Sequence, residues 1–374
     1  MKNSEQHARI RQTVLAFALV ASYGLAHPAH AAEKELNVYS WSSYLAKDTI
    51  ANFQTQSGIH VRYDTYDDNN TLQTKLLSGN TGYDVVVPTS AFMIRQMRAG
   101  IFQTLDKTQI PNLKNVDPIL MKKLAEGGDT GNQYAVPYTY GTDGIGYNVQ
   151  AVKKALGENT VVDSWAYLFD PANAAKLKSC GISLLDQPGD AFAAALQYLR
   201  KSPATTNPGD IQAAYEVLKK IRPYVTQFNS SSYLSDLANG DVCIALGYSG
   251  DVGTASRRAQ EAKRPYEIRY ATLKEGGLLW VDTMTVPKDA PHAQAAMQWI
   301  NYILDPKVSA SISNTTSYPT PVKSARALLK PGFEQDTAIY PTDTALDNTT
   351  LVQPLPQEIT KLEGRLWAKL KSGQ

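Results

Sequence analysis

Histidine and cysteine are scarce in this sequence. The 374 residues include five His and two Cys, which leaves little material for a His-rich metal site or a His-dependent triad. Neither sign of charge dominates. The 37 Lys+Arg face 35 Asp+Glu, a formal net charge of +2, and no nucleic-acid partner is expected without a basic footprint. The sequence holds no G-x-S-x-G, no H-E-x-x-H and no G-x-x-x-x-G-K-[ST] phosphate loop. Gly144-Ile145-Gly146 is a fragment of a dinucleotide fingerprint, with Val149 where the third glycine belongs. No cofactor is expected. Beyond the N-terminus no apolar run is long enough to span a bilayer. Internal repeats, low-complexity tracts and long linkers are also missing. What remains is a globular composition, 43% hydrophobic and 19% charged, at a length that suits about two domains of ~150 residues.

The N-terminus reads as a targeting segment rather than as fold. Lys2, Arg9 and Arg11 form a basic region, Thr13 to Ala26 is apolar, and Ala29-His30-Ala31 gives a small-x-small cleavage pattern. Residues 1–31 are therefore expected to be a signal peptide, with Ala32 the new N-terminus. Removal of Lys2, Arg9, Arg11 and Glu5 takes the basic and acidic residues to 34 of each, and His60 and His292 alone remain of the histidines. Export also changes the reading of Cys180 and Cys243. In an oxidising compartment two cysteines suggest one disulfide, worth roughly 4 kcal/mol in the chain-entropy model. The alternative is a pair of buried thiols.

Strand and helix patterns then alternate. Glu35 to Trp41 and Ile59 to Tyr66 read as strands, and Tyr83 to Pro88 is a nearly continuous apolar run of the kind buried on both faces. Helical spacing follows each. A Gly-Thr-Asp-Gly stretch at 141–144 is expected to turn between Tyr134–Tyr140 and Gly144–Asn148, crossing into a second lobe. That lobe repeats the rhythm, with strands at Ile182–Leu185 and Val242–Tyr248 and helices at Asp190–Leu199 and Ile211–Ile221. The run Gly276 to Pro287 is expected to return to the first lobe. His292 to Leu304 is a helix whose Met297, Ile300 and Leu304 read as core. The fold class is α/β with two lobes, each a mostly parallel sheet flanked by helices, and a ligand cleft between them. The expected lobes are 32–138 plus 279–312, and 139–278 plus 313–374.

Aromatic, hydroxyl and acidic residues recur at the strand ends: Trp41, Ser42 and Tyr44, then Thr89, Asp190, Tyr248 and Asp251, then Trp280 and Asp282 on one face of a strand. Tyr318 lies in a turn-like SYPTP stretch. Each has a plain structural reading: Asp190 and Asp251 as helix caps, Trp280 as core, Thr89 as a cap or turn. Taken together they suit a small cation with an apolar stem. Ammonium groups are drawn to aromatic faces and to carboxylates, and methylenes pack on flat rings.

Beyond these patterns, YSWSSYLAKDT, YDVVVPTSAF, VPYTYGTDGIGYN, VDSWAYLFDP, LKSCGISLLDQP, YLSDLANGDVCIALGYSGDV, KEGGLLWVDTMTVP and LWAKLKSG resemble stretches of the periplasmic putrescine/spermidine-binding proteins of bacterial polyamine ABC transporters. The resemblance runs over essentially the whole exported chain. It implies a periplasmic, monomeric, non-catalytic protein that closes over a polyamine and delivers it to a membrane ABC permease. It implies ligand-binding roles for Trp41, Ser42, Tyr44, Thr89, Asp190, Tyr248, Asp251, Trp280, Asp282 and Tyr318, with Asp251 and Asp282 on one ammonium and Asp190 toward the other end. It also implies the Cys180–Cys243 disulfide. Ser43 stands where such proteins often carry an acid, Thr89 where Ser is common, Asp190 where Glu is, Tyr248 where Trp is and Trp280 where some carry Phe. These departures leave the choice between diamine and triamine open. Rival readings on the same architecture are a binder of another small solute, or a secreted enzyme using an Asp pair.

Overall fold

The computed structural model describes residues 34–373 other than 43, 272 and 338; residues 1–31, the expected signal peptide, lie outside the described residues. Among these, ten strands form one sheet: β1 (Glu35–Trp41), β2 (His60–Tyr66), β3 (Val85–Val86), β4 (Ala135–Asn148), β5 (Ile182–Leu184), β6 (Gln227–Phe228), β7 (Ile244–Tyr248), β8 (Ile268–Ala271), β9 (Leu278–Thr285) and β10 (Thr350–Leu351). The order is β2-β1-β3-β9-β4-β7-β5-β6, with β10 beside β9 and β8 beside β4. The outer strands pair in parallel, β2-β1-β3 on one side and β7-β5-β6 on the other. The strands that join the halves, β9 and β4, run antiparallel to each other and to β3 and β7. The expected parallel character therefore belongs to the two ends of the sheet.

Successive residues explain why the first strands are apolar throughout. Val38, Val85 and Met284 join one buried cluster, while their neighbours Tyr39 and Val86 join another on the opposite face. Helices cover both faces, so alternation with polar residues is lost. A third cluster surrounds Ile145, Ile182, Ile244 and Leu246 and forms the second lobe's core. Met297, Ile300 and Leu304 are core, as their spacing suggests. In the last segment, Val322, Ala325, Leu346 and Leu351 pack in the clusters around Val38 and Tyr39, and Ile359, Trp367 and Leu370 in the cluster around Ile145.

The expected turn at 141–144 is not there. β4 runs unbroken from Ala135 to Asn148, pairing with β9 through Asp143 and with β7 from Asp143 onward. Its glycines provide room, not a bend. A Cβ on Gly141 would lie 2.2 Å from the Trp280 ring, and one on Gly144 would lie 2.4 Å from the Tyr270 hydroxyl. Cys180 and Cys243 are joined by a disulfide, Sγ–Sγ 2.07 Å and Cα–Cα 5.4 Å, beside the β5–β7 pairing.

Candidate cation-binding cleft

The acids of interest cluster where strands end and helices begin. Asp282 projects from β9 and is 2% exposed. Thr89 and Asp282 form an isolated antiparallel bridge. Thr89 precedes the helix Ser90–Arg98 but makes no side-chain cap. Its hydroxyl instead donates to Asp282 Oδ1 at 2.6 Å, while Tyr44 Oη donates to Oδ2 at 2.8 Å. Asn69 fixes Thr89 from behind, giving Nδ2–H to its Oγ1 and accepting its backbone N–H. Both oxygens of Asp282 thus meet neutral hydroxyls. Burial outweighs these bonds and pushes its carboxyl up to about 6.

Asp251 and Asp190 each sit in the first turn of a helix, Ser249–Glu261 and Pro188–Tyr198, and neither is the cap residue. Asp251 accepts from Tyr233 Oη at 2.8 Å and Tyr318 Oη at 3.1 Å. Tyr233 Oη also accepts the backbone N–H of Tyr248 at 2.9 Å, which locks it in place. Burial raises Asp251 above the usual carboxylate range, against the pull of these hydroxyls and of Arg258. Arg258 itself is exposed and bonds Ser235. Asp190 accepts Tyr248 Oη at 2.9 Å, and burial pushes it to about 6.

The rings form a continuous wall. Centroids run Trp41–Tyr44 at 6.1 Å, Tyr44–Tyr318 at 5.8 Å, Tyr318–Trp280 at 5.5 Å and Trp280–Tyr248 at 6.3 Å, the last two edge to face. Trp41 is anchored by its indole N–H on the Val87 carbonyl at 2.9 Å. Tyr138 donates to the Tyr44 carbonyl and its ring lies tilted against the Tyr44 ring, centroids 5.9 Å apart. Gly250 lets Tyr318 lie close, since a Cβ there would be 2.4 Å from the ring. Nine of the ten expected site residues are thereby brought together. Ser42 is not: it is exposed, and its hydroxyl donates to Asp67 at 2.7 Å.

Sequence reasoning missed Asp143, Tyr233, Asn69 and Tyr138. Asp143 lies on β4 opposite Tyr248 and is 1% exposed. Burial and the neighbouring Asp190 push its carboxyl far above the usual range. The Trp280 indole N–H is near enough to favour the anion, yet neither it nor Asp143 Oδ1 makes a hydrogen bond. Tyr233 and Tyr138 carry no local signal, because their partners are remote in sequence.

Among the described residues none of Asp143, Asp190, Asp251 and Asp282 pairs with a Lys or Arg. No group of three or more His, Cys, Asp or Glu is placed to hold a metal ion among those residues. The arrangement is a cluster of acids and rings within a solute-binding fold, and among the described residues no Lys or Arg forms an ion pair with those acids.

The comparisons agree with that class. The chain belongs to the bacterial extracellular solute-binding protein family, whose model matches residues 48–342. It is 44% identical over 367 residues to the putrescine-binding periplasmic protein SpuD of Pseudomonas aeruginosa, covering 98% of this chain and 99% of the relative. It is also 44% identical over 345 residues to the putrescine-binding periplasmic protein PotF of Escherichia coli, covering 92% and 93%. A solved structure of the spermidine/putrescine ABC transporter substrate-binding protein PotD from Streptococcus pneumoniae superposes with a TM-score of 0.78 at 24% identity, covering 91% of this chain and 99% of that one, and shares the fold.

Proposed function

We propose that this solute-binding protein captures a polyamine in the cleft between its lobes, in the periplasm, and hands it as a monomer to an ABC permease without chemical turnover. The observation that carries the reading is the set of buried and half-buried carboxylates that have hydroxyl partners but no ion-paired Lys or Arg among the described residues, strung along a row of five rings. A primary ammonium supplies the missing charge. Asp282 and Asp251 take one ammonium, Asp190 serves the other end, and Trp41, Tyr44, Tyr248, Trp280 and Tyr318 enclose the methylenes. Thr89 and Tyr44 orient Asp282 by donating one hydrogen bond to each oxygen, and the remaining lone pairs accept the ammonium N–H groups. The names of the relatives that bind putrescine support the same ligand class.

The lobes are proposed to meet within β4 near residues 138–144 and within β9 near residue 279. A last crossing between Leu351 and Ile359 is supported by the packing of the two residues in different clusters. Closure traps the ligand only if the closed state binds it better than the open state. Calorimetric titration with putrescine, spermidine, cadaverine and agmatine tests the ligand class. Saturable heat with at least one of them supports it, and a folded protein that gives none rejects it. Mass spectrometry of the recovered ligand separates binding from turnover: an unaltered mass is expected.

A further inference from the structure

Tyr318 reaches Asp251 from a turn that is strained where it need not be. The helix Pro306–Thr316 ends at Ser317, whose φ of +68° is left-handed. Glycine commonly fills such a position, because a side chain is strained there. Pro319 follows Tyr318 and keeps it extended. The turn thus sends the Tyr318 ring away from its own helix, to lie against Trp280 and Tyr44. A serine in a place that suits glycine points to a use for its hydroxyl.

That use lies on the helix Ser249–Glu261. Gly250, Gly253, Thr254 and Arg257 stand at i, i+3, i+4 and i+7, on one face of it. The two glycines strip that face. A Cβ on Gly250 would lie 2.4 Å from the Tyr318 ring, and one on Gly253 would lie 2.9 Å from Ile339. Arg257 then reaches the turn. Its Nη2 donates to Ser317 Oγ and, at 3.0 Å, to Thr254 Oγ1. Ser317 is 6% exposed, so the bond is sheltered from water. Asp251, about 9 Å before Arg257 along the helix axis at ~1.5 Å per residue, accepts Tyr318 Oη at 3.1 Å. Two adjacent residues, Ser317 and Tyr318, are therefore tied to one helix at two separate points.

The turn and the helix are rooted in different cores. Val252, Ala255 and Ala259 pack in the cluster around Ile145, whereas Ala310 and Ile312, just before the turn, pack in the cluster around Val38. Ser313 holds the Tyr318 carbonyl, but it belongs to the helix that precedes the turn. Core packing places each element, and the two hydrogen bonds register one against the other.

We infer that Arg257 is a positioning residue of the cleft: by holding Ser317 it sets the Tyr318 ring and hydroxyl against Asp251, and it raises ligand affinity without touching the ligand. The inference rests on the polyamine reading above. Its effect runs against charge, since a guanidinium near a cationic ligand repels it.

The test is calorimetry at pH 7 with putrescine and spermidine, for the unaltered protein, Ser317→Gly, Arg257→Met and the two combined. Ser317→Gly removes the hydroxyl and relieves the left-handed strain. Its Tm should hold or rise while both ligands weaken by about tenfold, the scale of a hydrogen bond to a charged group. Arg257→Met keeps the apolar stem and removes the donors. On charge alone it would tighten a cation; the inference expects both ligands about tenfold weaker, by the same factor. The combined variant should be no weaker than either single one by more than about twofold, because both remove one bond. Unaltered or tighter binding in Arg257→Met overturns the inference, and so do single losses that multiply in the combined variant. If the unaltered, folded protein binds neither ligand, the polyamine reading fails, and crystal structures of the empty protein decide the positioning role alone. In Arg257→Met the Tyr318 hydroxyl should leave Asp251; a hydroxyl still within hydrogen-bond distance overturns the role.

Discussion

Lowering the pH should weaken ligand binding steeply while leaving the ligand's own charge untouched. Asp282 and Asp190 titrate near 6 in the empty cleft, whereas an alkylammonium holds its proton up to ~10. An ammonium beside each carboxylate favours its anion, so the bound state keeps both ionised at pH 5. The empty protein then has to give up a proton from each acid before binding. For a group with a pKa of about 6 this costs about tenfold in affinity between pH 7 and pH 5, or about 100-fold for two, near 2.7 kcal/mol at 1.36 kcal/mol per unit. Titration calorimetry across pH 5 to 8 measures it, with proton release greatest on the acid side of that range. The same shifts act oppositely on the empty protein. A carboxylate whose folded pKa lies above its unfolded value of ~3.9 binds more protons folded than unfolded between ~4 and ~6. Stability therefore rises as pH falls through that window. The empty protein should melt higher at pH 5 than these acids allow at pH 7, while the ligand-induced rise in Tm is larger at pH 7. An affinity that is flat from pH 7 to pH 5 would refute the claim that these acids meet the ligand's charges.

Three further outcomes are expected. Asp251→Asn removes a charge bonded by Tyr233 and Tyr318 and should weaken polyamine binding by on the order of 2 kcal/mol, with the empty protein's Tm unchanged or raised; unaltered affinity by calorimetry would put this carboxylate outside the contact. Gly141→Ala drives a methyl into the Trp280 ring, so binding should fall and the intrinsic tryptophan emission shift, while far-ultraviolet dichroism stays that of the folded protein. Free-thiol labelling of the unreduced, unfolded protein should find no reactive cysteine, and replacing Cys180 and Cys243 by Ala should cost roughly 4 kcal/mol of unfolding free energy by denaturant titration.

The elements at the ends of the sheet were readable because their signals are local. Val85 and Val86 face opposite clusters, and a run with no polar interruption says so. The strand-end acids were readable for the same reason, since Asp190 and Asp251 enter helices directly after strands. The middle of the sheet was not. Glycine is common in turns because it tolerates unusual backbone angles, and 141–144 was read that way. In the fold, Gly141 and Gly144 stay extended and make room for rings from β9 and β8, a role set by partners more than 120 residues away. Asp143 was hidden by the same reading. Ser42 adjoins Trp41 in sequence, but its hydroxyl turns to Asp67 at the surface. Tyr233 is legible only in three dimensions, where one hydroxyl joins the Tyr248 backbone to Asp251.

A crystal structure of the protein grown with spermidine or putrescine bears most directly on the anionic, ring-walled cleft. The account requires a slender ligand along the Trp41–Tyr44–Tyr318–Trp280–Tyr248 wall, with a nitrogen within ~3 Å of carboxylate oxygens of Asp282 or Asp251 and methylenes against the Trp280 and Tyr318 rings. A ligand seated elsewhere, or one held in this cleft by contacts that leave those acids untouched, would contradict it.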